Sequence, residues 1–345
     1  MINIPTQALK PEVSRIPRWL IPLLKTIIGI LLLAAICYTC YVAFHQINEN
    51  TGKFKLHNIK WIWFALSGVI YAAAVVFPAS YWYVVLRYLG QSPTYFQTVR
   101  AHIIGHIGKY VPGKFMVVLM RTSMLHGKGT ETSPTIISIF LEGFVQMATG
   151  ALLVLCVFLW WAVTSLETKW LPYVIPLMVI SGLPFFPPIF KKIVKMVVAK
   201  KYSDHLQCLD HFRWTTILFG LPLMAGYWML LALSYWALLQ GLSLEMPLSE
   251  FPRYLATIAS AMVAGFVLVF MPGGLGVREA FTVPLMAPFL EGIVPGAGVA
   301  VAVIAAIILR LVWLTTELMF SAILFFVKFN RAELSLNHCF PWSQK

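Results

Sequence analysis

Charge is scarce in this chain. Asp, Glu, Lys and Arg make up 11% of its 345 residues, against about 25% in an ordinary soluble domain. With 59% hydrophobic residues and a mean hydropathy of +0.80, it carries more apolar surface than water tolerates, which excludes a soluble enzyme. Cysteine is also sparse: the five, at 37, 40, 156, 208 and 339, give no disulfide framework, and Cys37 and Cys40 fall inside an apolar run as small hydrophobes. Disorder is excluded by the apolar content and collagen by the lack of periodic Gly. There is no Gly-x-x-x-x-Gly-Lys-Ser/Thr loop, so ATP-driven export by this chain alone is not expected. Acid is the scarcest charge, 13 Asp plus Glu against 26 Lys plus Arg, for a formal net charge of +13. In a soluble protein that balance would suggest nucleic acid. In a membrane protein it reads as basic cytoplasmic loops, and no nucleic-acid partner is expected.

What is present in abundance is apolar sequence. An all-α, polytopic membrane helix bundle is therefore expected, a single integral domain over 1–345. Full spans are expected near 19 to 44, 59 to 88, 134 to 163, 170 to 190, 214 to 241 and 297 to 327, the first being too long for a cleaved signal sequence. Two further segments, 97 to 127 and 253 to 291, are apolar but interrupted, one at Val111-Pro112-Gly113-Lys114 and the other at Met271-Pro272-Gly273-Gly274. Pro removes a backbone donor and Gly loosens the helix, so each segment is expected to break into two half-helices at Pro112 and Gly113, or at Pro272, Gly273 and Gly274. Such broken backbone is tolerated in a bilayer only against protein or a water-filled cavity.

Loop charge favours two re-entrant hairpins with no net crossing. The basic 191 to 213 loop, with Lys191, Lys192, Lys195, Lys200, Lys201 and Arg213, then shares one side with both termini, which are expected in the cytoplasm of a cell inner membrane. Lys53, Lys55 and Lys60 dissent by facing outward. A short internal repeat agrees with this layout: Ser80-Tyr81-Trp82 stands thirteen residues before Pro93, and Ser234-Tyr235-Trp236 thirteen before Pro247. Repeat 1 covers about 59–163 and repeat 2 about 214–327, and with three spans between matching points the copies are inverted, the arrangement of many transporters.

Ionisable residues inside spans cost roughly 2.5 to 3.5 kcal/mol each, so each needs a partner, a cavity or a purpose. His102, His106 and Lys109 share one helical face, and Lys114 and Arg121 follow beyond the first break. Glu142 lies in the next span with Gln146 one turn on, Arg278 and Glu279 follow the second break, and Arg310 precedes Glu317 by seven residues on one stripe. The three Glu can act as buried ion-pair partners, Arg310 with Glu317 among them. Lys109, Lys114, Arg121, Arg278 and Arg310 nevertheless outnumber them five to three, and an excess of positive charge at broken helices is an anion site, with a lipid phosphate as the natural ligand. Lys109 and Lys114 also have snorkelling to the interface open to them. The His102 and His106 pair has no third metal ligand nearby, so no metal and no cofactor is expected. The many aromatics read mostly as interfacial belts, as at Trp61, Trp63, Trp160 and Trp161.

Two motifs carry a resemblance. Gly108-Lys109-Tyr110-Val111-Pro112-Gly113-Lys114, continuing to Arg121, and Pro272-Gly273-Gly274-Leu275-Gly276-Val277-Arg278-Glu279, with Arg310 downstream, are similar to the paired motifs of the lysylphosphatidylglycerol synthase transmembrane-region family. The resemblance covers about 60 to 327 and implies a flippase-like protein, similar to the lipid-translocating half of multiple peptide resistance factor. Where the family often has Glu-Arg and then Asp, this chain has Glu142-Gly143 and then Gln146, which bears on headgroup preference. No stretch remains for a soluble aminoacyl-transfer domain, so a separate lipid-modifying enzyme is an expected partner. The resulting expectation is a translocator of an anionic or aminoacylated phospholipid, or of a lipid-linked glycan carrier. Lys109, Lys114, Arg121, Glu142, Arg278, Glu279 and Arg310 would serve the headgroup. A membrane transferase using Glu142, Glu279 or His106 as its base, and a non-transporting scaffold, are the alternatives.

Overall fold

A computed structural model describes residues 59–110, 115–164, 214–267 and 276–326, with isolated positions between 172 and 192. The spans expected at 19 to 44 and 170 to 190, the loop at 191 to 213, and Pro112, Gly113, Lys114, Pro272, Gly273 and Gly274 lie outside the described residues. Within them every regular element is helical: α1 Trp61–Tyr88, α2 Tyr95–His106, α3 Phe115–Leu125, α4 Thr132–Thr164, α5 Trp214–Gly241, α6 Phe251–Val267, α7 Val277–Ile293 and α8 Gly298–Phe326. The helices α1, α4, α5 and α8 are long and apolar enough to cross a bilayer, as in a multi-pass membrane protein.

The order long, short, short, long occurs twice. In the first half, α1 ends in a left-handed glycine, Gly90 at φ 75°, and Pro93 then leads into α2. Thr94 caps that helix: its Oγ1 accepts from the Gln97 amide at 3.3 Å while Gln97 Oε1 accepts from the Thr94 amide at 3.1 Å. After a 3-10 turn, Ile107–Tyr110, the chain returns in α3, packed antiparallel on α2. The approach is close. A Cβ on Gly105 would lie 2.5 Å from Arg121 Cγ, and one on Gly108 would lie 2.8 Å from the Val117 amide nitrogen. The base of this hairpin is closed where Ser92 N donates to Gly129 O at 2.9 Å and Glu131 N donates to Gln91 Oε1 at 2.6 Å. Twelve and eleven residues give arms of about 18 and 16 Å, well short of the ~30 Å hydrocarbon core.

The second half repeats the order with longer arms. Here α5 ends near Ser243, at φ 57°, and α6 and α7 have 17 residues each, about 26 Å. They are antiparallel. Near their open ends the Arg253 guanidinium lies 4.9 Å from the Phe289 ring and 5.2 Å from that of Trp161, and it pairs with Glu250 at 2.9 Å.

The halves interlock. α1 and α5 run antiparallel, from Lys60 beside Gly241 to Tyr81 beside Gly220, with the rings of Phe64, Phe77 and Tyr81 filling the space left by Gly241, Gly226 and Gly220. Midway, Ser67 and Ser234 hydroxyls meet at 2.9 Å. Each hairpin then lays its first arm antiparallel on the last long helix of the other half. In one case α2 follows α8, with Arg100 at Phe325, Ser321 at Ile103 and Lys109 at Glu317. In the other α6 follows α4, from Arg253 at Trp161 to Phe266 at Gly143. Small residues at these crossings let helices approach closely where lipid removes any hydrophobic drive between them.

Candidate functional site

The polar centre forms around α2 because that arm lies against both α4 and α8. His102 and His106, one turn apart, stack with ring centroids 5.8 Å apart, and Lys109 follows in the 3-10 turn. On the α4 side Glu142 accepts from Arg121 Nη1 at 2.7 Å, with His102 Nε2 3.4 Å from its other oxygen. Trp82 covers this pair: its ring lies 5.3 Å from the Arg121 guanidinium, and its Nε1 donates to Ser138 Oγ at 2.8 Å. On the α8 side Glu317 Oε1 accepts from Tyr71 OH and from Lys109 Nζ at 2.5 Å, with His106 Nε2 at 3.9 Å. Arg121 Nη2 and His106 Nδ1, 3.5 Å apart, join the two sides into one chain of ionisable groups. Arg121, Glu142 and Glu317 are each 3% exposed. Charges so placed survive only as pairs, and removing one partner strands the other.

A second cluster sits at the start of α7. Gly276, at φ 79°, supplies the left-handed turn that aims Glu279 back on the chain, so its Oε2 accepts from the Gly276 amide at 2.9 Å. The other oxygen accepts from Arg310 Nε at 2.8 Å. Arg278, beside them, is not engaged in this way. Among the described residues it has no carboxylate at salt-bridge distance, and its buried Nε has no hydrogen-bond partner. It lines a small cavity between α6, α7 and α8, along with Glu279, Arg310, Thr282, Met262 and Trp313.

The structure thus brings the sequence-derived residues into two groups and changes how they pair. Arg310 and Glu317 do not bond each other. Arg310 reaches Glu279 on α7, and Glu317 reaches Lys109 across the α2–α8 contact. All three carboxylates are used in ion pairs, as one of the two readings of their role required. Lys109 points inward to its pair rather than outward to an interface. Of the five bases that made up the excess, Arg121, Arg310 and Lys109 hold a carboxylate, Lys114 is outside the described residues, and Arg278 is left over.

Sequence reasoning missed the aromatic part of the site. Tyr71, Trp82 and Trp313 are buried against the charges, with Tyr71 stacked on Trp313 at 4.7 Å and Trp313 Nε1 donating to Ser234 Oγ at 3.0 Å. The mid-span positions of Tyr71 and Trp313 were the available signal, since belt aromatics sit at span ends; Trp82, near the end of α1, offered none. Trp61 and Trp160 are exposed as a belt requires, whereas Trp161 is buried beneath Arg253.

No curated protein and no solved structure matches this chain. A family model described as the lysylphosphatidylglycerol synthase TM region matches residues 23–316, which takes in both hairpins, the Arg121–Glu142 and Arg310–Glu279 pairs, Lys109 and Arg278, and ends one residue before Glu317. The chain therefore belongs to the lysylphosphatidylglycerol synthase transmembrane-region family.

Proposed function

We propose that this protein passes a phosphate-bearing lipid, an anionic or aminoacylated phospholipid or a lipid-linked glycan carrier, between the leaflets of a cell inner membrane. The observation that carries the reading is Arg278, a cation that has no carboxylate partner among the described residues, on the wall of a cavity beside the start of α7. A guanidinium there suits a phosphate, which it can grip with two hydrogen bonds, and the α7 N-terminus adds partial positive charge. Arg310 stands behind it, Lys109 lies in the turn of the first hairpin, and Arg121 with Glu142 holds α3 and α4 in place; Lys114 is a further cation proposed for the headgroup. Glu279 orients Arg310 or meets a cationic headgroup. The acyl chains stay in the bilayer.

The topology proposed with it has six spans, inverted halves and both termini in the cytoplasm. Two features support this. Antiparallel hairpin arms return the chain to the side it left, whatever their depth. In addition α4 and α5 run parallel, Ile137 and Leu141 clustering with Ile217 near their starts and Gly150 lying against Trp228 farther along, as fits a span read from the sequence between them. Inverted halves put a hairpin on each side of the membrane, so a headgroup has polar ground to meet from either leaflet.

The test is leaflet exchange of fluorescent phosphatidylglycerol in vesicles holding the purified chain. Wild type should exchange faster than empty vesicles, and Arg278→Ala should lower that gain at least about tenfold, the loss expected for one charge-assisted contact. No gain over empty vesicles across several anionic lipids overturns the reading.

A further inference from the structure

Lys109 has one ammonium and two claimants. It is bonded to Glu317 at 2.5 Å, yet it sits in the hairpin turn within electrostatic reach of Arg278, the cation proposed to meet a phosphate. While Glu317 is ionised, Lys109 is neutralised and the anion site has one fewer cation. A proton on Glu317 would release the ammonium to the headgroup. Resting on the lipid-translocation reading above, we propose that Glu317 is a proton-binding site, and that one proton bound there travels with each anionic headgroup.

The geometry leaves a place for that proton. Tyr71, Lys109 and His106 all address Oε1 of Glu317, whereas Oε2 is buried with no hydrogen-bond partner. Protonation therefore forms an O–H bond at Oε2, breaks no covalent bond, and cancels the carboxylate charge that holds Lys109. A route in is present as well. Glu317 is 3% exposed but the His106 side chain is 21% exposed, and its Nε2 is the ring atom turned to the carboxylate. In the proposal His106 passes a proton from water inward once a small ring movement closes the 3.9 Å gap to the carboxylate.

The surrounding groups set the sign of the coupling. Tyr71 on α1 donates to Glu317, Tyr227 on α5 stands nearby, and Tyr110 faces it from the hairpin turn. Lys109 is the cation bonded to Glu317, Arg278 on α7 and Arg310 on α8 itself stand farther off, and the Arg121–Glu142 pair lies one link beyond His106. An arriving phosphate neutralises Lys109 and Arg278, which makes the proton on Glu317 easier to hold. By linkage the proton must strengthen phosphate binding by the same factor.

Two measurements test this on the full-length chain. In weakly buffered detergent near neutral pH, titrating short-chain phosphatidylglycerol into wild type should take up about one proton per lipid bound, and Glu317→Gln should bind lipid with no uptake. In vesicles with an imposed pH difference, one-to-one coupling shifts the equilibrium leaflet ratio of phosphatidylglycerol about tenfold per pH unit beyond that of empty vesicles. Glu317→Gln should give no such shift, whatever its rate. Lipid binding without proton uptake, or exchange that runs to the same ratio with and without the gradient, overturns the proton proposal and leaves translocation standing. Absence of both binding and exchange overturns both. If Glu317→Gln fails to fold, His106→Phe serves as the second variant: a proton response slowed several-fold supports the route, and an unchanged one removes it.

Discussion

Arg121 and Glu142 meet at 2.7 Å with each side chain 4% exposed, so neither charge has water to fall back on. Replacing Glu142 by Ala strands a guanidinium beneath Trp82, and the expected loss is about 3–5 kcal/mol of stability. A thermal unfolding series in detergent checks this. The single variant should unfold well below wild type, while Arg121→Leu with Glu142→Leu together should recover most of the difference, because two matched apolar groups need no partner. A single variant as stable as wild type would mean that the pair carries no stability. The pairing itself was only half legible in the sequence. The residue types and their burial follow from their places inside apolar runs, and a shortage of acid makes each Glu conspicuous. Which base each acid takes does not follow. Seven residues separate Arg310 from Glu317, about 10 Å along a helix, and both find closer partners on neighbouring elements. Contacts of that kind depend on how helices cross, which one-dimensional spacing does not encode. For the same reason the charges that Tyr71, Trp82 and Trp313 pack against did not follow from the sequence, even where a mid-span position set the aromatic apart from a belt.

The hairpins are the elements on which the site depends, and their existence was plain from Pro and Gly in otherwise apolar segments. Their depth was not. Sequence reading treats both as equivalent re-entrant breaks, but the first has arms of twelve and eleven residues and the second of 17 and 17. The first is short because the chain must turn where Lys109 can reach Glu317, and it is tight because Gly108 lets α3 come against the 3-10 turn. With a Cβ there 2.8 Å from the Val117 amide, Gly108→Ala must push the arms apart and draw Lys109 off its carboxylate. We expect a loss of about 1–3 kcal/mol, as for other overpacked contacts. The control is Gly292→Ala in the last turn of α7. No atom lies within 4 Å of its Cβ, so the change should be neutral or stabilising by up to about 1 kcal/mol. Unfolding of the two variants side by side is the measurement, and equal effects would show that close approach at Gly108 does not matter.

For the whole molecule, the packing of the halves bears on which face each hairpin enters from. The Ser-Tyr-Trp repeat with its downstream proline raises the expectation of two related halves, and the described helices follow the order long, short, short, long twice. Their mutual packing was not readable, because nothing local in α1 announces that the glycines of α5 will receive its aromatic rings. That antiparallel contact has a consequence. α2 leaves from the end of α1 and α6 from the end of α5, and since those ends lie at opposite limits of the pair, the two hairpins start from opposite limits too. His126, exposed at the base of the first hairpin, and Glu245, exposed at the base of the second, are thus expected on opposite sides of the membrane. On the proposed topology, in which the more basic loops face the cytoplasm, His126 is expected on the cytoplasmic side. Introducing His126→Cys or Glu245→Cys into a chain stripped of its five native cysteines gives a direct assay with a membrane-impermeant thiol reagent. In intact cells Glu245→Cys should label and His126→Cys should label only after the membrane is opened. Labelling of both from one side would mean the halves are not inverted, and a headgroup would then find polar ground from one leaflet alone, which exchange between leaflets cannot use.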